Sequence, residues 1–429
     1  MRVTLQDIFQ QHMPRYAASH TLCERERRAA NAIANCFTPG MGAHLLQCPT
    51  DGYCHLQYHA CRHRSCPKCA DKPRQAWVES QLHKLLPCQH FHVVFTLPHA
   101  LLPLWRFNRA WINRLLFDCA RQCLLELCAD PKFLGALPGI LMALHTWGRD
   151  LSEHPHIHCL VTAGGLDHEG QWRDTRHGFL LPAKVLSSLF RGKFLHHLSL
   201  ALRLRSPRLP SGTHTEHWRS VVRELHRKHW NVHLGELYAH GSGVALYLAR
   251  YVKGGPLPAS RRLYQDDHQR ICFTYTSHRD GKPHQAHMSA AHFIARILTH
   301  VPPKAQHTVR HCGLYASSQP KRRLLCLRKL RPQPIPEPTH AHAAHPHTPQ
   351  IQTKTTQPLI SWQHPQPMKP MCPVCHHPLV RTQAFTSQHR IGAFSNTPRL
   401  SSLHPAQRDV EPDNPYGRGL TAPPIGAAG

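Results

Sequence analysis

Acidic residues are scarce in this chain. Its 429 residues hold 24 Asp and Glu against 52 Lys and Arg, for a formal charge of +28. Carboxylates this few and this scattered offer no clear acidic constellation, which disfavours chemistry built on three carboxylates around two metals. The same imbalance favours a polyanionic partner, nucleic acid first of all. A ribosome-associated or merely basic soluble protein is the blander reading. Long apolar runs are missing as well. No segment approaches about 18 uninterrupted apolar residues, so no membrane span is expected. The opening "MRVTLQDIFQQHMPRY" lacks the apolar stretch of a secretory signal. With no export signal, the 17 cysteines are expected to be reduced. Also absent are the nucleotide-binding loop G-x-x-x-x-G-K-[ST] and any internal repeat.

Composition divides the chain into three. Residues 1–86 join a polar helical start to a dense Cys/His block. Residues 88–330 alternate strand-like apolar runs with helical patterns, as an α+β domain would. Beyond 331, "RPQPIPEPTHAHAAHPHTPQIQTKTTQP" is too poor in apolar residues to order itself and reads as a flexible, largely disordered tail. In the middle region "HFHVVFTLP" (His90 to Pro98) is expected to be a buried strand, and Ala100 to Leu127 helical. "ILMALHTWG" (Ile140 to Gly148) and "HIHCLVTAGG" (His156 to Gly165) read as a hairpin joined by the polar turn "RDLSEHP".

Cysteine is concentrated in "CPTDGYCHLQYHACRHRSCPKCA", from Cys48 to Ala70. Cys66-Pro-Lys-Cys69 is a knuckle whose two sulfurs can share a tetrahedral Zn²⁺, with Cys61, Cys54 and Cys48 upstream as partners. A structural zinc here supplies on the order of 10 kcal/mol of local folding energy. A second pair, Cys372-Pro-Val-Cys375, lies in the tail as a candidate second metal site with no obvious partner except nearby His364.

Histidines make up the other cluster. In "EHPHIHCLVTAGG" (Glu153 to Gly165), strand alternation puts His156 and His158 on one face and Ile157 on the other. A pair of imidazoles is half of a divalent-metal site, and His145 on the partner strand is placed to complete it. His154, before Pro155, is assigned to the turn. About ninety residues on, "GSGVALYLARYVKGG" (Gly241 to Gly255) reads as a short helix. It carries Tyr247 and Tyr251 on one face, with Lys253 adding charge at the same end. The plain alternative is a pair of aromatics packed on a core. Taken together, the two motifs suggest a metal-polarised phosphate attacked by a tyrosine, and two tyrosines allow two successive transesterifications.

With these motifs on the page, the sequence resembles the insertion-sequence-91-type transposases of the HUH single-strand nuclease superfamily, from about Asp7 to Arg323. The landmarks are "CRHRSCPKC", "FHVVFTLPHALL", "LHTWGRDLSEHPHIHCLVTAGGL", "YLARYVKGG" and "LTHVPPKAQHTVRHCGLYA". The resemblance implies a small zinc-binding domain followed by a ferredoxin-like nuclease domain with an antiparallel central sheet. It also implies rolling-circle-like cleavage and joining of single-stranded transposon ends, with Mg²⁺ or Mn²⁺ on His156 and His158 and with Tyr247 and Tyr251 as nucleophiles. The third ligand, His145, follows from the hairpin alone. One departure stands out: family members carry C-x-x-C-G where this chain reads "CPTDG", so either Asp51 or Cys54 replaces a cysteine ligand. The expected partner is DNA, bound along its backbone. Trp105, Trp111 and Trp147 are candidate stacking platforms, and "KRRLLCLRKLR" (Lys321 to Arg331) is a candidate phosphate-contacting arm. A replication initiator or relaxase of the same superfamily, and a non-catalytic zinc-containing DNA-binding protein, are the competing readings.

Overall fold

The computed structural model describes residues 1–238, 255–257, 261–277, 280–330 and 370–386 of the chain. Its centre is an antiparallel sheet built on a long hairpin, β5 (Leu137–Trp147) and β6 (Glu153–Leu166). β4 (His90–Thr96) lies against the other edge of β6, followed by β8 (Val232–Tyr238), while β12 (Val309–Gly313) flanks β5. The short β7 (Trp172–Asp174) also pairs with β6. Gly164 and Gly165 permit this crowding: a Cβ on Gly165 would lie 2.6 Å from the Leu137 carbonyl oxygen, and one on Gly164 2.6 Å from the Trp172 ring.

Strand alternation gives the sheet two different faces. Phe91, Val93 and Phe95 of β4, and Ile157, Cys159 and Val161 of β6, point into the main core. That core is covered by α5 (Arg109–Ala129), α6 (Ala183–Arg203) and α7 (Thr215–Arg227), with the short α4 (Leu102–Phe107) ahead of α5. The opposite face carries Leu141, Ala143 and Leu160, which meet Leu86, Leu314, Tyr315 and Cys326 in a smaller cluster. Cys326 belongs to α9 (Pro320–Leu330), and Leu86 follows α3 (Pro67–Leu82).

A second core joins the N-terminal helices to residues 257–301. α1 (Leu5–Ser19) starts from a capping box, in which the Asp7 amide donates to Thr4 Oγ1 (3.2 Å) and the Thr4 amide to Asp7 Oδ2 (2.8 Å). Its buried residues Leu5, Ile8, Phe9, Met13 and Tyr16 recur at helical spacing. They pack with α2 (Glu24–Asn35), with α8 (Ala290–Thr299), and with a sheet of β1 (Arg2–Val3), β9 (Leu263–Gln265), β10 (Ile271–Thr276) and β11 (Pro283–Met288). Ile33, Phe273, Phe293 and Ile297 thus share one core. α1 and α2 bury their apolar faces in a core shared with Leu257, Leu263 and residues from Ile271 to Val301.

A third sheet, in the order β13-β2-β3, joins β2 (Ala43–Gln47) and β3 (Cys54–Tyr58) to β13 (Val380–Phe385). Part of the expected tail is therefore ordered, paired along β2 from Val380 opposite Gln47 to Phe385 opposite Ala43. The whole is a mixed helix and antiparallel-sheet protein. Among the described residues, no helix is long and apolar enough to cross a membrane.

Candidate metal centres

The hairpin register places His145 directly across from His156, and Ala143 across from His158. All three histidines lie on the face away from α5–α7, and all three are buried. Their nitrogens come within 4.8 Å of one another. Burial holds His145 and His158 well below the ordinary histidine range, with the neighbouring imidazoles adding to the effect. Both are therefore neutral at physiological pH, and a neutral imidazole has the lone pair a metal needs.

Partners behind the rings decide which nitrogen carries that lone pair. A carbonyl only accepts, so the contact between His156 Nδ1 and the His154 carbonyl means Nδ1 holds the proton and Nε2 is left as the ligand atom. His158 Nδ1 lies 2.7 Å from Nε2 of His92, and the two rings are nearly parallel at 8°. Burial lowers His92 to about 4, so it too is neutral. His90, two residues earlier on the same face, provides a contrast. Its Nδ1 bonds the Cys88 carbonyl (2.8 Å) and its Nε2 the Tyr315 hydroxyl (2.7 Å), so both nitrogens are occupied and it is structural.

His154 is not in the turn. The loop closes tightly from Gly148 to Ser152, with Gly148 N–H donating to the Ser152 carbonyl (2.8 Å) and Leu151 at φ 67°. Strand β6 therefore begins at Glu153, paired with Trp147. The His154 ring centroid lies 5.0 Å from that of His156, but its nitrogens are not part of the three-histidine group. Tyr247, Tyr251 and Lys253 lie outside the described residues.

The cysteines divide into two groups rather than the single block read from the sequence. Cys61, Cys66 and Cys69 come together with Cys36, at the end of α2. Cys36 Sγ lies 3.5 Å and Cys61 Sγ 3.7 Å from Cys69 Sγ. Zn–S bonds of about 2.3 Å at tetrahedral angles put sulfurs about 3.8 Å apart, so these spacings fit one zinc. Cys66 is lowered to about 5, first by the hydrogen bond from the Cys61 thiol, then by the Cys69 and Lys68 amides opening α3. Burial pushes Cys36 up to about 12. Four sulfurs this close cannot all ionise without a cation among them.

Cys48 belongs elsewhere. It turns away from Cys66 and Cys69 because it ends β2, and it meets Cys372, Cys375 and Asp51. Cys54, opposite Gln47 in the register, is exposed and sits in neither group. A fourth group, Asp266, Cys272 and His287, is partly neutralised, since Arg270 Nε bonds the Asp266 carboxylate at 2.8 Å.

A family described as "Transposase zinc-binding domain" matches residues 8–97, and one described as "Putative transposase" matches residues 139–323. "Putative transposase y4qJ" of Sinorhizobium fredii (strain NBRC 101917 / NGR234) is 33% identical over 377 residues, covering 86% of this chain and 92% of the relative. "Transposase for insertion sequence element IS801" of Pseudomonas savastanoi pv. phaseolicola is 32% identical over 288 residues, 66% of this chain and 68% of the relative. The chain belongs to the insertion-sequence-91-type transposases. No solved structure matches it significantly.

In this transposase the candidate stacking residues differ in availability. Trp105 is buried, its Nε1–H donating to Asn113 Oδ1 (2.8 Å) with the Arg109 guanidinium over its ring. Trp111 packs half-buried on the main core. Trp147 is half-buried beside the three grouped histidines, its ring 5.9 Å from His145 and nearly parallel to it. The basic arm is helix α9, with Lys321, Arg322, Arg328 and Lys329 exposed along it.

Proposed function

We propose that this transposase cuts and rejoins single-stranded ends of its element through covalent 5′-phosphotyrosine intermediates, in a rolling-circle-like mode. The observation that carries the reading is the convergence of His145, His156 and His158 on one sheet face, with the His154 carbonyl at His156 Nδ1 keeping the proton there and the lone pair on Nε2. An antiparallel sheet with helices packed on the other face supports a ferredoxin-like nuclease domain of the HUH type.

In the proposed step the Tyr247 or Tyr251 hydroxyl oxygen attacks the scissile phosphorus. A tyrosine O–P bond forms, the bond to the 3′ oxygen breaks, and that oxygen takes up a proton to leave as a 3′ hydroxyl. The phosphodiester energy is kept in the new bond, which agrees with the lack of a nucleotide-binding loop. Lys253 supplies positive charge beside the tyrosines. His145, His156 and His158 would hold a divalent ion, which would supply Lewis-acid polarisation of the phosphate oxygens. Three neutral imidazoles suit Mn²⁺ better than Mg²⁺, which prefers oxygen ligands and would keep more of its waters. Cys36, Cys61, Cys66 and Cys69 hold the structural zinc. The protein works on DNA in the bacterial cytoplasm, at the nucleoid.

The test uses purified full-length protein, labelled single-stranded oligonucleotides bearing the element's ends, and Mn²⁺ or Mg²⁺. An SDS-resistant protein–DNA adduct is expected only with metal, and it should disappear in His158→Ala. An adduct that forms equally well in His158→Ala overturns the assignment of the centre.

A further inference from the structure

The group made by Cys48, Asp51, Cys372 and Cys375 has its first two members inside the zinc-binding match over residues 8–97 and its last two outside it. Its two halves are related by an internal symmetry of the backbone. In the first knuckle, the Cys48 amide donates to the Tyr53 carbonyl (2.8 Å) and the Gly52 amide to the Cys48 carbonyl (3.1 Å). In the second, the Cys372 amide donates to the His377 carbonyl (2.8 Å) and the His376 amide to the Cys372 carbonyl (3.0 Å). Both are the same pattern, with the residue four after the first cysteine in the left-handed region, Gly52 at φ 73° and His376 at φ 59°. Asp51 thus occupies the position in its knuckle that Cys375 occupies in the other.

The side chains meet across this symmetry. Cys48 Sγ lies 3.3 Å from Cys375 Sγ, and Cys372 Sγ 3.2 Å from Asp51 Oδ2. Tetrahedral zinc would set sulfur–sulfur and sulfur–oxygen spacings of about 3.8 and 3.6 Å, so a small expansion admits the ion. Cys48 and Cys372 are buried, and Asp51 is oriented by the Tyr53 amide donating to its other oxygen (2.9 Å). Apart from these sulfurs, the local core among the described residues holds only Leu46 and Leu379, with Tyr53 alongside. Two leucines are too little apolar burial to hold a strand against β2 without a further link.

We infer that Cys48, Asp51, Cys372 and Cys375 form a second zinc site, which clamps the 370–386 segment onto the N-terminal sheet. Three thiolates select zinc over oxygen-seeking ions. The aspartate, a harder ligand at the solvent-facing corner, makes this the more exchangeable of the two cysteine sites. The inference does not depend on the proposed nuclease chemistry, since no histidine or tyrosine of that centre takes part.

Zinc is counted by elemental analysis on the full-length chain after desalting. Cys372→Ser/Cys375→Ser should carry roughly one zinc fewer per chain than the parent. Its β2 and β13 amides should also lose protection from hydrogen exchange. Wider unfolding of that double variant would also release zinc, so Asp51→Cys provides the converse arm. By completing a four-sulfur site, it should release zinc to a chelator more slowly than the parent and raise the thiolate-to-metal absorbance of the cobalt-substituted protein. A double variant that keeps the parent's zinc content, or an Asp51→Cys protein with the parent's release rate and cobalt spectrum, overturns the site.

Discussion

His92→Ala is expected to weaken the histidine centre without removing any of its ligands. His92 Nε2 bonds His158 Nδ1 at 2.7 Å, with ring centroids 5.0 Å apart and nearly parallel planes. That contact holds the rotation of the His158 ring, and with His92 Nε2 accepting, it keeps the His158 proton on Nδ1. Partners of this kind, standing behind a metal ligand, are worth about 10- to 100-fold in affinity or activity, or about 1.4–2.7 kcal/mol. Truncating a half-buried ring also costs packing, on the order of 1 kcal/mol of stability. The two effects separate in a Mn²⁺ titration of adduct formation. A lost positioning contact raises the Mn²⁺ concentration for half-maximal rate by about tenfold or more. A packing loss alone lowers the melting temperature and leaves that concentration where it was. His92→Gln, whose amide can reach the same nitrogen, should recover most of the metal affinity. If His92→Ala folds and its Mn²⁺ dependence matches the parent's, the positioning argument fails.

Other expectations follow from single contacts. Cys36→Ser should lose the zinc of the Cys61–Cys66–Cys69 knuckle and lower the thermal midpoint, while Cys23→Ser, at an exposed cysteine in neither group, should change neither zinc content nor melting. Gly165→Ala should destabilise the sheet by about 1–3 kcal/mol in denaturant unfolding, because its Cβ would press on the Leu137 carbonyl from 2.6 Å. Replacing Lys321, Arg322 and Arg328 of α9 with glutamine should flatten the dependence of single-stranded DNA affinity on salt. The slope should fall by about 0.7 for each phosphate contact removed, and an unchanged slope would mean the helix is only a solvated face.

The grouping of His145, His156 and His158 was legible because it depends on local rules. Alternation along β6 puts His156 and His158 together, and a tight hairpin brings His145 opposite His156, so short-range geometry was enough. The same reasoning misassigned His154, since it gave the turn more residues than the closed Gly148–Ser152 loop uses. His92 was missed because its relation to His158 crosses from β4 to β6, a pairing that no local spacing predicts. The cysteines show the limit more sharply. Close sequence neighbours were expected to share one ion, yet Cys48 leaves its block at the end of β2 while Cys36 joins Cys61, Cys66 and Cys69 from the end of α2. The partners of Cys372 and Cys375 lie more than three hundred residues away, reached only because β13 pairs with β2. Asp51, an anomaly in the sequence, becomes intelligible once the two knuckles face each other.

The most direct test of the central claim is to map the nucleotide in the covalent adduct by tandem mass spectrometry of its peptides. The account predicts a phosphodiester on Tyr247 or Tyr251, and no adduct when both are phenylalanine. A nucleotide found on another side chain, or an adduct that persists in the Tyr247→Phe/Tyr251→Phe protein, contradicts it.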